Sequence, residues 1–256
     1  MTYAEAAKQH ARQCYPEESC GIVVDGVYIP VENIARDPLE HTGERDCACR
    51  LCSFAMPANV LMKHPDATMI LHSHPNGPLY PSELDMQQQI QSGLTWGIIP
   101  LDEDRVGDPI LWGGDEPMQP LIGREFVHGI HDCYALIRDT FALGREELAR
   151  QDIIWPFDPI HLADCPRDDA WWEDGQDLYL DNFAAWGFEE IAFEEARPGD
   201  VFLVKIRSEK FNHGGLLIGN SLILHHLPGR LSRREPAGIW ARHAGVWLRY
   251  KGADHA

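Results

Sequence analysis

The first half of the chain alternates apolar runs with polar turns in a pattern that predicts both helices and strands. Residues 2–14, "TYAEAAKQHARQC", predict an Ala-rich helix that must end before Pro16. The next segment, "CGIVVDGVYIPVENI", has two β-branched runs around an Asp-Gly pair, which predicts a hairpin. "ATMILHSHP" is typical of a strand, and "PSELDMQQQIQSG" predicts a helix that is capped by Ser82 and ends at Gly93.

The second half begins with a predicted helix, "DCYALIRDTFALG", which Asp132 can cap and Gly144 can end. Four strand-like runs follow further along, "GDVFLVKI", "HGGLLIGN", "LILHHL" and "GVWLRY", with Gly219-Asn220 as a predicted tight turn. Each half therefore combines helices with mostly antiparallel strands, which predicts an α+β fold class.

A segment rich in proline and glycine separates these two halves, and we place the domain boundary between Gly113 and Phe126. A length of 256 residues suits two domains, which we expect at residues 1–115 and 124–256. Within the second domain, residues 145–196 form a long acidic and aromatic insert. We expect its tryptophans to cover the predicted helix at Cys133 rather than to form a lid that contacts a substrate.

Net charge and hydrophobicity indicate which binding partners and cellular locations the chain suits. The chain has 40 acidic and 22 basic residues, a formal net charge of −18, which argues against nucleic acid because phosphate binding needs a basic face. There is no run of about 18 apolar residues, so we expect no membrane span. The N-terminal segment has no apolar stretch typical of a secretory signal, so we expect a protein that is made and kept in a cytosol.

The seven cysteines argue against a disulfide framework, because their number is odd and no export signal is apparent. Cys47, Cys49 and Cys52 form a C-x-C-x2-C pattern that is compatible with a metal site. No second pair lies at the spacing of a zinc ribbon. We therefore interpret this segment as a strand or turn with small apolar side chains.

The motif "HSHPNGPLYPSELD" predicts a metal site. On a strand, His72 and His74 point to the same face, and Ser82 and Asp85 share one face at the start of the following helix. Two histidines and one carboxylate leave the fourth position of a zinc ion open for water, as in catalytic rather than structural zinc sites.

A metal site of this kind also needs a general base, and "PEESCG" offers Glu18, with Glu17 as the competing candidate. Ser82 is then the candidate donor of a hydrogen bond to an oxyanion. The spacing H-x-H-P-x6-S-x2-D, together with the upstream Pro-x-Glu-x-x-Gly, resembles the JAMM (MPN+) metalloprotease family over residues 1–112. The resemblance implies a mixed β-sheet with helices, Zn²⁺ bound by His72, His74 and Asp85, and Glu18 as the base.

A second candidate site centres on Cys133, at the first turn of its predicted helix, where the helix dipole favours a thiolate. A cysteine alone is more often a packed small hydrophobe. Histidines stand at the start of one predicted strand, His213, and at the end of the next, His225. Paired strands would bring the two imidazoles together, one as base towards Cys133 and the other to orient it.

"HDCYALIRDTF", "PGDVFLV" and "NHGGLLIGNSLILHH" together resemble an NlpC-type cysteine peptidase, a papain-like fold with an antiparallel sheet, over residues 124–250. The resemblance implies Cys133 as nucleophile, His213 as base and His225 as the third, polar member. His226 is adjacent, and only the offset of twelve residues from His213 favours His225. The peptide stems of bacterial peptidoglycan are the substrate that the resemblance implies.

A JAMM half followed by an NlpC half resembles the tail assembly protein K family of lambda-like phages. That resemblance implies partners among phage tail tip proteins, and a location in the host cytoplasm during assembly or on the tail of the particle. A cytosolic isopeptidase that acts on ubiquitin-like conjugates is an alternative, but it leaves Cys133 without a role. The remaining alternative is an assembly factor without catalysis, which the complete sets of site residues argue against.

Overall fold

The computed structural model describes residues 1–42 and 47–252 of the chain. The chain divides into two compact units, Met1–Pro117 and Met118–Ala256. Each unit combines helices with one sheet, so the α+β fold class is confirmed. Among the described residues, no helix is long and apolar enough to cross a membrane.

The first unit is a mixed sheet with helices, as predicted. Its elements are α1 Tyr3–Cys14, β1 Cys20–Val24, β2 Val27–Val31, α2 Val60–Lys63, β3 Ala67–Pro75, α3 Glu83–Ser92, β4 Thr95–Leu101 and β5 Ile110–Trp112. The strand order is β2-β1-β3-β4-β5, in which only the described β3–β4 pair is parallel. These two strands run in the same direction because α3 returns the chain between them.

Local chemistry fixes the ends of these elements. The β1–β2 turn holds Asp25 at φ 49° and Gly26 at φ 73°, the left-handed conformations that a two-residue hairpin loop requires. Helix α3 begins with a capping box, in which the Ser82 side chain accepts from the Asp85 backbone and the Asp85 side chain accepts from the Ser82 backbone. It ends at Gly93, whose φ is 67°.

One apolar cluster of the first unit packs α1 against one face of the sheet. Alternation along the strands turns Val23, Leu71 and Ile99 towards one face, where they pack with Ala7 and Ala11 of α1. The neighbouring residues of β3 point to the opposite face. Burial of an apolar face under α1 thus sets the register that places His72 and His74 together on the other side of the sheet.

The second unit is an antiparallel sheet with helices, also as predicted. Its elements are α4 Cys133–Ala149, α5 Leu178–Asn182, β6 Phe188–Ile191, β7 Val201–Val204, β8 His213–Ile218, β9 Leu222–His225, β10 Arg233–Pro236, α6 Ala237–His243 and β11 Val246–Tyr250. The strand order is β10-β9-β8-β7-β11-β6, and the described pairs are antiparallel. A large apolar core joins α4 to this sheet.

Two local predictions in this unit need correction. Gly144, at φ 69°, breaks α4 where predicted, but helical turns resume and continue to Ala149. The turn between β8 and β9 is not centred on Gly219-Asn220. The left-handed residues are Asn220 (φ 61°) and Ser221 (φ 56°), because Ile218 pairs with Leu222 and leaves a loop of residues 219–221.

Candidate active sites

Two imidazoles meet at the end of β3, on the face of the sheet that α1 does not cover. Nε2 of His72 lies 3.0 Å from Nε2 of His74, and both side chains are buried. The ring of Phe54 stacks on His72, with ring centroids 4.5 Å apart. The other ring nitrogen of His74, Nδ1, lies 2.8 Å from the carbonyl oxygen of Pro78. Because a carbonyl only accepts, Nδ1 carries the proton and the Nε2 of a neutral His74 presents a lone pair.

The carboxylate of Asp85 completes this cluster from the first turn of α3. Its Oδ1 lies 3.5 Å from Nε2 of His72, and its Oδ2 lies 3.7 Å from Nε2 of His74. These three residues can present one ligand atom each to a shared metal ion. The hydroxyl of Ser82 donates to Oδ2 of Asp85 at 2.7 Å, so in this structure it orients the carboxylate. Its role towards an oxyanion stays a prediction.

The two candidate bases have different surroundings. Glu18 is buried, whereas Glu17 is partly exposed and accepts a hydrogen bond from Nε of Arg50 at 2.8 Å. Burial raises the pKa of Glu18 to about 8, the positive charge of His74 opposes this shift, and Asp85 adds to it. Glu18 is therefore buried close enough to feel the charges of His74 and Asp85, and this position favours Glu18 over Glu17 as the candidate base.

Charge coupling also shifts the pKa values of the three metal-ligand candidates. Burial lowers the pKa of His72, against the attraction of Asp85. Burial opposes protonation of His74 as well, but hydrogen bonding to Asp85 and the charge of Glu18 outweigh it and raise its pKa. The pKa of Asp85 is lowered despite burial, because two imidazoles face it. The donors are of the kind and number that a catalytic zinc ion takes.

In the second unit, α4 presents Cys133 at its first residue. Asp132 caps the helix, since its Oδ1 accepts from the backbone N–H of Ala135 at 2.9 Å. The sulfur of Cys133 lies 3.3 Å from the hydroxyl of Tyr179. Burial and the charge of Asp132 raise the pKa of the Cys133 thiol, and hydrogen bonds from Tyr179 and the Gly214 backbone only partly oppose this. The prediction that the helix end favours the thiolate is therefore wrong for the resting state.

The two predicted histidines of this unit are neighbours on paired strands. Nε2 of His213 lies 3.2 Å from Nδ1 of His225, and both rings are buried. On its far side, Nε2 of His225 lies 3.4 Å from Oε2 of Glu235 on β10. The carboxylate favours a proton on that nitrogen, so Nδ1 of a neutral His225 accepts from Nε2–H of His213. The relay leaves a lone pair on Nδ1 of His213, as a general base requires.

His226 has a different environment. It is buried and its ring meets Phe126 edge to face, with centroids 5.1 Å apart. The ring of His226 thus packs on Phe126, whereas the ring of His225 lies 3.2 Å from Nε2 of His213. This geometry favours His225 as the third member.

A cavity of about 270 Å³ connects the nucleophile and base candidates. Cys133 and His213 both line its wall, and so do Tyr179 and the tryptophans Trp171 and Trp172 of the insert. The remaining tryptophans of the insert pack against α4, Trp155 on Phe141 and Trp186 on Tyr134. The prediction that the insert covers α4 holds for these two, whereas the other pair forms part of the cavity wall.

Comparison with known proteins also finds two successive domains in the chain. Residues 3–108 match the model of prokaryotic homologs of the JAB domain, and residues 107–248 match the NlpC/P60 family. Tail tip assembly protein K of Escherichia phage lambda is 34% identical over 183 residues, which are 70% of this chain and 76% of that protein. Tail tip assembly protein K of Escherichia phage N15 is 32% identical over 260 residues, 96% of this chain and 93% of that protein.

The chain belongs to the tail tip assembly protein K family. The NlpC/P60 match indicates a peptidase, and therefore a hydrolase, in the second unit of this K-family protein. A solution structure of a protein from Desulfitobacterium hafniense is also similar, with 26% sequence identity and a TM-score of 0.32, covering 50% of this chain and 93% of that chain.

Several residues of the second site in this K-family protein were not predicted. Arg167 is buried and forms an ion pair with Asp132 beneath the cavity, and Tyr179 touches the nucleophile. Glu235 and Trp240 contact His225. One signal was present in the sequence: Arg167 is the only basic residue in the acidic stretch from Asp164 to Glu195. A lone cation in such a stretch indicates a specific partner.

Proposed function

We propose that this K-family protein is a hydrolase with two independent sites. The second unit is a cysteine endopeptidase that cleaves the peptide stems of peptidoglycan or a tail protein, and the first is a zinc metallopeptidase. The observation that carries the proposal is the pairing of His213 with His225 at 3.2 Å beside the cavity that Cys133 lines. That arrangement is the relay of base and orienting group that a thiol nucleophile needs.

In the proposed reaction the sulfur of Cys133 attacks a substrate carbonyl carbon while Nδ1 of His213 accepts the thiol proton. The leaving amine then takes this proton, and water hydrolyses the resulting thioester. Burial lowers the pKa of His213 to about 3, with the neighbouring imidazoles adding to the shift, so the resting base is neutral. Because the thiol is also neutral at rest, proton transfer accompanies the attack rather than preceding it.

The walls of the cavity fit a peptide with both apolar and charged groups. Trp171 and Trp172 supply flat apolar surface, and Asp132, Arg167 and Asp169 supply charge at the same cavity. Stem peptides carry amines, carboxylates and methyl groups within a few residues, which is the mixture such walls recognise.

In the first unit, His72, His74 and Asp85 would hold the zinc ion. When bound, zinc supplies a Lewis acid that polarises a carbonyl and acidifies water. Three features of the chain support this role: the lone pair on Nε2 of His74, the carboxylate fixed by Ser82, and the carboxyl of Glu18 buried beside them. Glu18 accepts the proton that the attacking water loses and passes it to the leaving amine.

We place this chemistry in tail assembly. Tail tip proteins are the partners, the host cytoplasm is the site of action during assembly, and the tail of the particle is a second location. Cleavage of a tail protein would serve its maturation, whereas cleavage of peptidoglycan would serve penetration of the cell wall. An isopeptidase acting on ubiquitin-like conjugates would account for the first unit alone. An assembly factor without catalysis would account for neither the metal-ligand cluster of the first unit nor the histidine relay of the second.

The proposal is tested with Cys133→Ser on purified peptidoglycan, with released peptides identified by mass spectrometry. The variant should release no stem peptides and should retain its zinc content. Cys165→Ser, a partly buried cysteine of the same unit, is the matched control and should cleave like the unmodified protein. Equal release by Cys133→Ser and the unmodified protein would overturn the cysteine peptidase assignment, and the second unit would then be a binding module.

A further inference from the structure

Four side chains outside both candidate sites converge in the first unit: His41, Cys47, Cys49 and Cys52. The sulfur of Cys49 lies 3.5 Å from the sulfurs of both Cys47 and Cys52. Nδ1 of His41 lies 3.5 Å from the sulfurs of Cys47 and Cys49 and 3.7 Å from that of Cys52. The interpretation of this segment as small apolar packing is therefore corrected, because all three sulfurs face one imidazole nitrogen.

These distances fit the edges of a tetrahedron of zinc ligands. With Zn–S near 2.3 Å and Zn–N near 2.0–2.1 Å, tetrahedral angles place neighbouring ligand atoms roughly 3.5–3.8 Å apart. A disulfide requires sulfurs about 2.05 Å apart, so the pairs at 3.5 Å are not disulfides, and all three cysteines are free. The set of three thiols and one imidazole is a closed, soft set of ligands that selects zinc.

The cysteine spacing alone does not reveal this set, because no second cysteine pair belongs to it. The fourth member is a histidine, His41, six residues before Cys47. The cysteines themselves lie in irregular backbone: Cys49 forms an isolated bridge with Arg36, and Cys52 closes a turn onto the carbonyl of Cys49 at 3.0 Å. A metal ion bound by these side chains would crosslink this irregular backbone.

The same loop supports the first candidate site. The backbone N–H of Glu18 donates to the carbonyl of Arg50 at 2.7 Å. The side chain of Asn33 donates both to the carbonyl of Glu18, at 2.9 Å, and to that of Ser53, at 3.1 Å. The next residue, Phe54, stacks on His72. The position of the base and the cover over one metal ligand thus depend on the loop that Cys49 and Cys52 anchor.

We propose that His41, Cys47, Cys49 and Cys52 bind a structural zinc ion that fixes the loop behind Glu18 and His72. The inference of a metal site depends on the geometry of the four side chains alone. Only its functional effect, holding Glu18 in position as a base, depends on the proposed metallopeptidase. The full chain therefore binds two zinc ions, one closed and structural and one open.

Metal analysis of the full chain tests the number and location of these ions. The unmodified protein should contain two zinc ions per chain, Cys52→Ser and His74→Ala one each, and the double variant none. Cys52 is exposed, which limits the effect of its replacement on folding, and Cys14→Ser, a cysteine of the same unit outside the cluster, should keep both ions. Two ions in Cys52→Ser, or iron in place of zinc, would overturn the proposal.

Cobalt substitution separates this site from the other one. Cobalt bound by three thiolates should give intense sulfur-to-metal charge-transfer absorption, which histidine and carboxylate ligands cannot give. The absorption should persist in His74→Ala and disappear in Cys52→Ser. Its absence from the unmodified protein would contradict the inference. If His74→Ala kept both the absorption and the full metal content, the metallopeptidase site would be contradicted, whereas the site of His41 and the three cysteines would still be supported.

Hydrogen exchange tests, without any activity assay, whether the metal-bound loop holds the backbone of Glu18 in place. The backbone N–H of Glu18 should exchange faster in Cys52→Ser than in Cys14→Ser, because its acceptor on Arg50 belongs to the anchored loop. Equal protection in the two variants would show that the loop holds its place without the metal.

Discussion

The two candidate active sites arrange their polar atoms in different ways. In the first unit, Nε2 of His72, Nε2 of His74 and the carboxylate of Asp85 all face one another. In the second unit, His213 faces His225, and His225 faces Glu235 in turn. The polar atoms of the first site converge on one point. Those of the second site lie one after another in a chain of contacts.

The difference separates a site whose ligand atoms suit a cation from a site that is arranged by protein groups alone. Lone pairs that converge repel one another, and a positive charge between them removes this repulsion, so the arrangement of the first site suits a bound cation. A line of donors and acceptors fixes the tautomer of each member, so the second site is arranged by its own hydrogen bonds. Variants that affect one site should therefore leave the other unchanged.

The largest effect should come from His213→Ala. The variant loses the group that accepts the thiol proton, and general-base catalysis contributes up to roughly 10⁴-fold to a rate. Hydrolysis of stem peptides should fall by about this factor, measured as kcat/KM on a soluble fragment of peptidoglycan. Zinc content should not change. A loss of zinc together with activity would show that the two sites are not independent.

The variant Glu18→Gln tests the general base of the first site. The amide keeps the size of the side chain but cannot accept a proton, so metal-dependent hydrolysis should fall by about 10²-fold or more. Metal analysis should show the zinc content of the unmodified protein, because Glu18 is not a ligand. Glu17→Gln is the matched control, since Glu17 contacts Arg50 instead of the cluster. Equal losses in both variants would contradict the choice of Glu18.

A smaller difference should separate His225→Ala from His226→Ala. Of these two histidines, His225 is the one with a hydrogen bond to His213 in the structure, so its loss frees the base to rotate and lets the wrong tautomer form. We expect roughly tenfold or more between the two variants in kcat/KM, with His225→Ala the slower. If the two variants were equal, or in the reverse order, the relay from His213 through His225 would be wrong.

The smallest effect concerns the dependence of stability on pH. Burial lowers the pKa of His213 to about 3 and that of His226 to about 4, both from 6.5. Between pH 6.5 and 4 these imidazoles bind protons in the unfolded chain but not in the folded one, so stability falls as pH falls. In urea denaturation across this range, His226→Leu should reduce the slope by up to about 1.4 kcal/mol per pH unit. An unchanged slope would contradict the shift.

Short-range patterns made much of the fold predictable. The Asp25-Gly26 turn, the capping box of Ser82 with Asp85 and the alternation in β3 each act within a few residues, so the sequence shows them directly. The same holds for His72 and His74, whose common face follows from strand geometry.

Contacts between distant segments could not be predicted in the same way. Arg167 and Tyr179 reach Cys133 and its cap only after the insert folds back over α4, and Glu235 reaches His225 only through pairing of β9 with β10. The thiol pKa was predicted in the wrong direction for a similar reason. Helix position is local, whereas the burial of Cys133 depends on the whole cavity.

The independence of the two sites is tested most directly by treating the unmodified protein separately with a metal chelator and a thiol alkylating agent. Peptide release from purified peptidoglycan is then followed by mass spectrometry. Alkylation should abolish the release, because it blocks Cys133. Removal of metal should leave the release unchanged, because the described lining of that cavity includes none of the candidate metal ligands. Loss of stem-peptide release on chelation alone would contradict two independent sites.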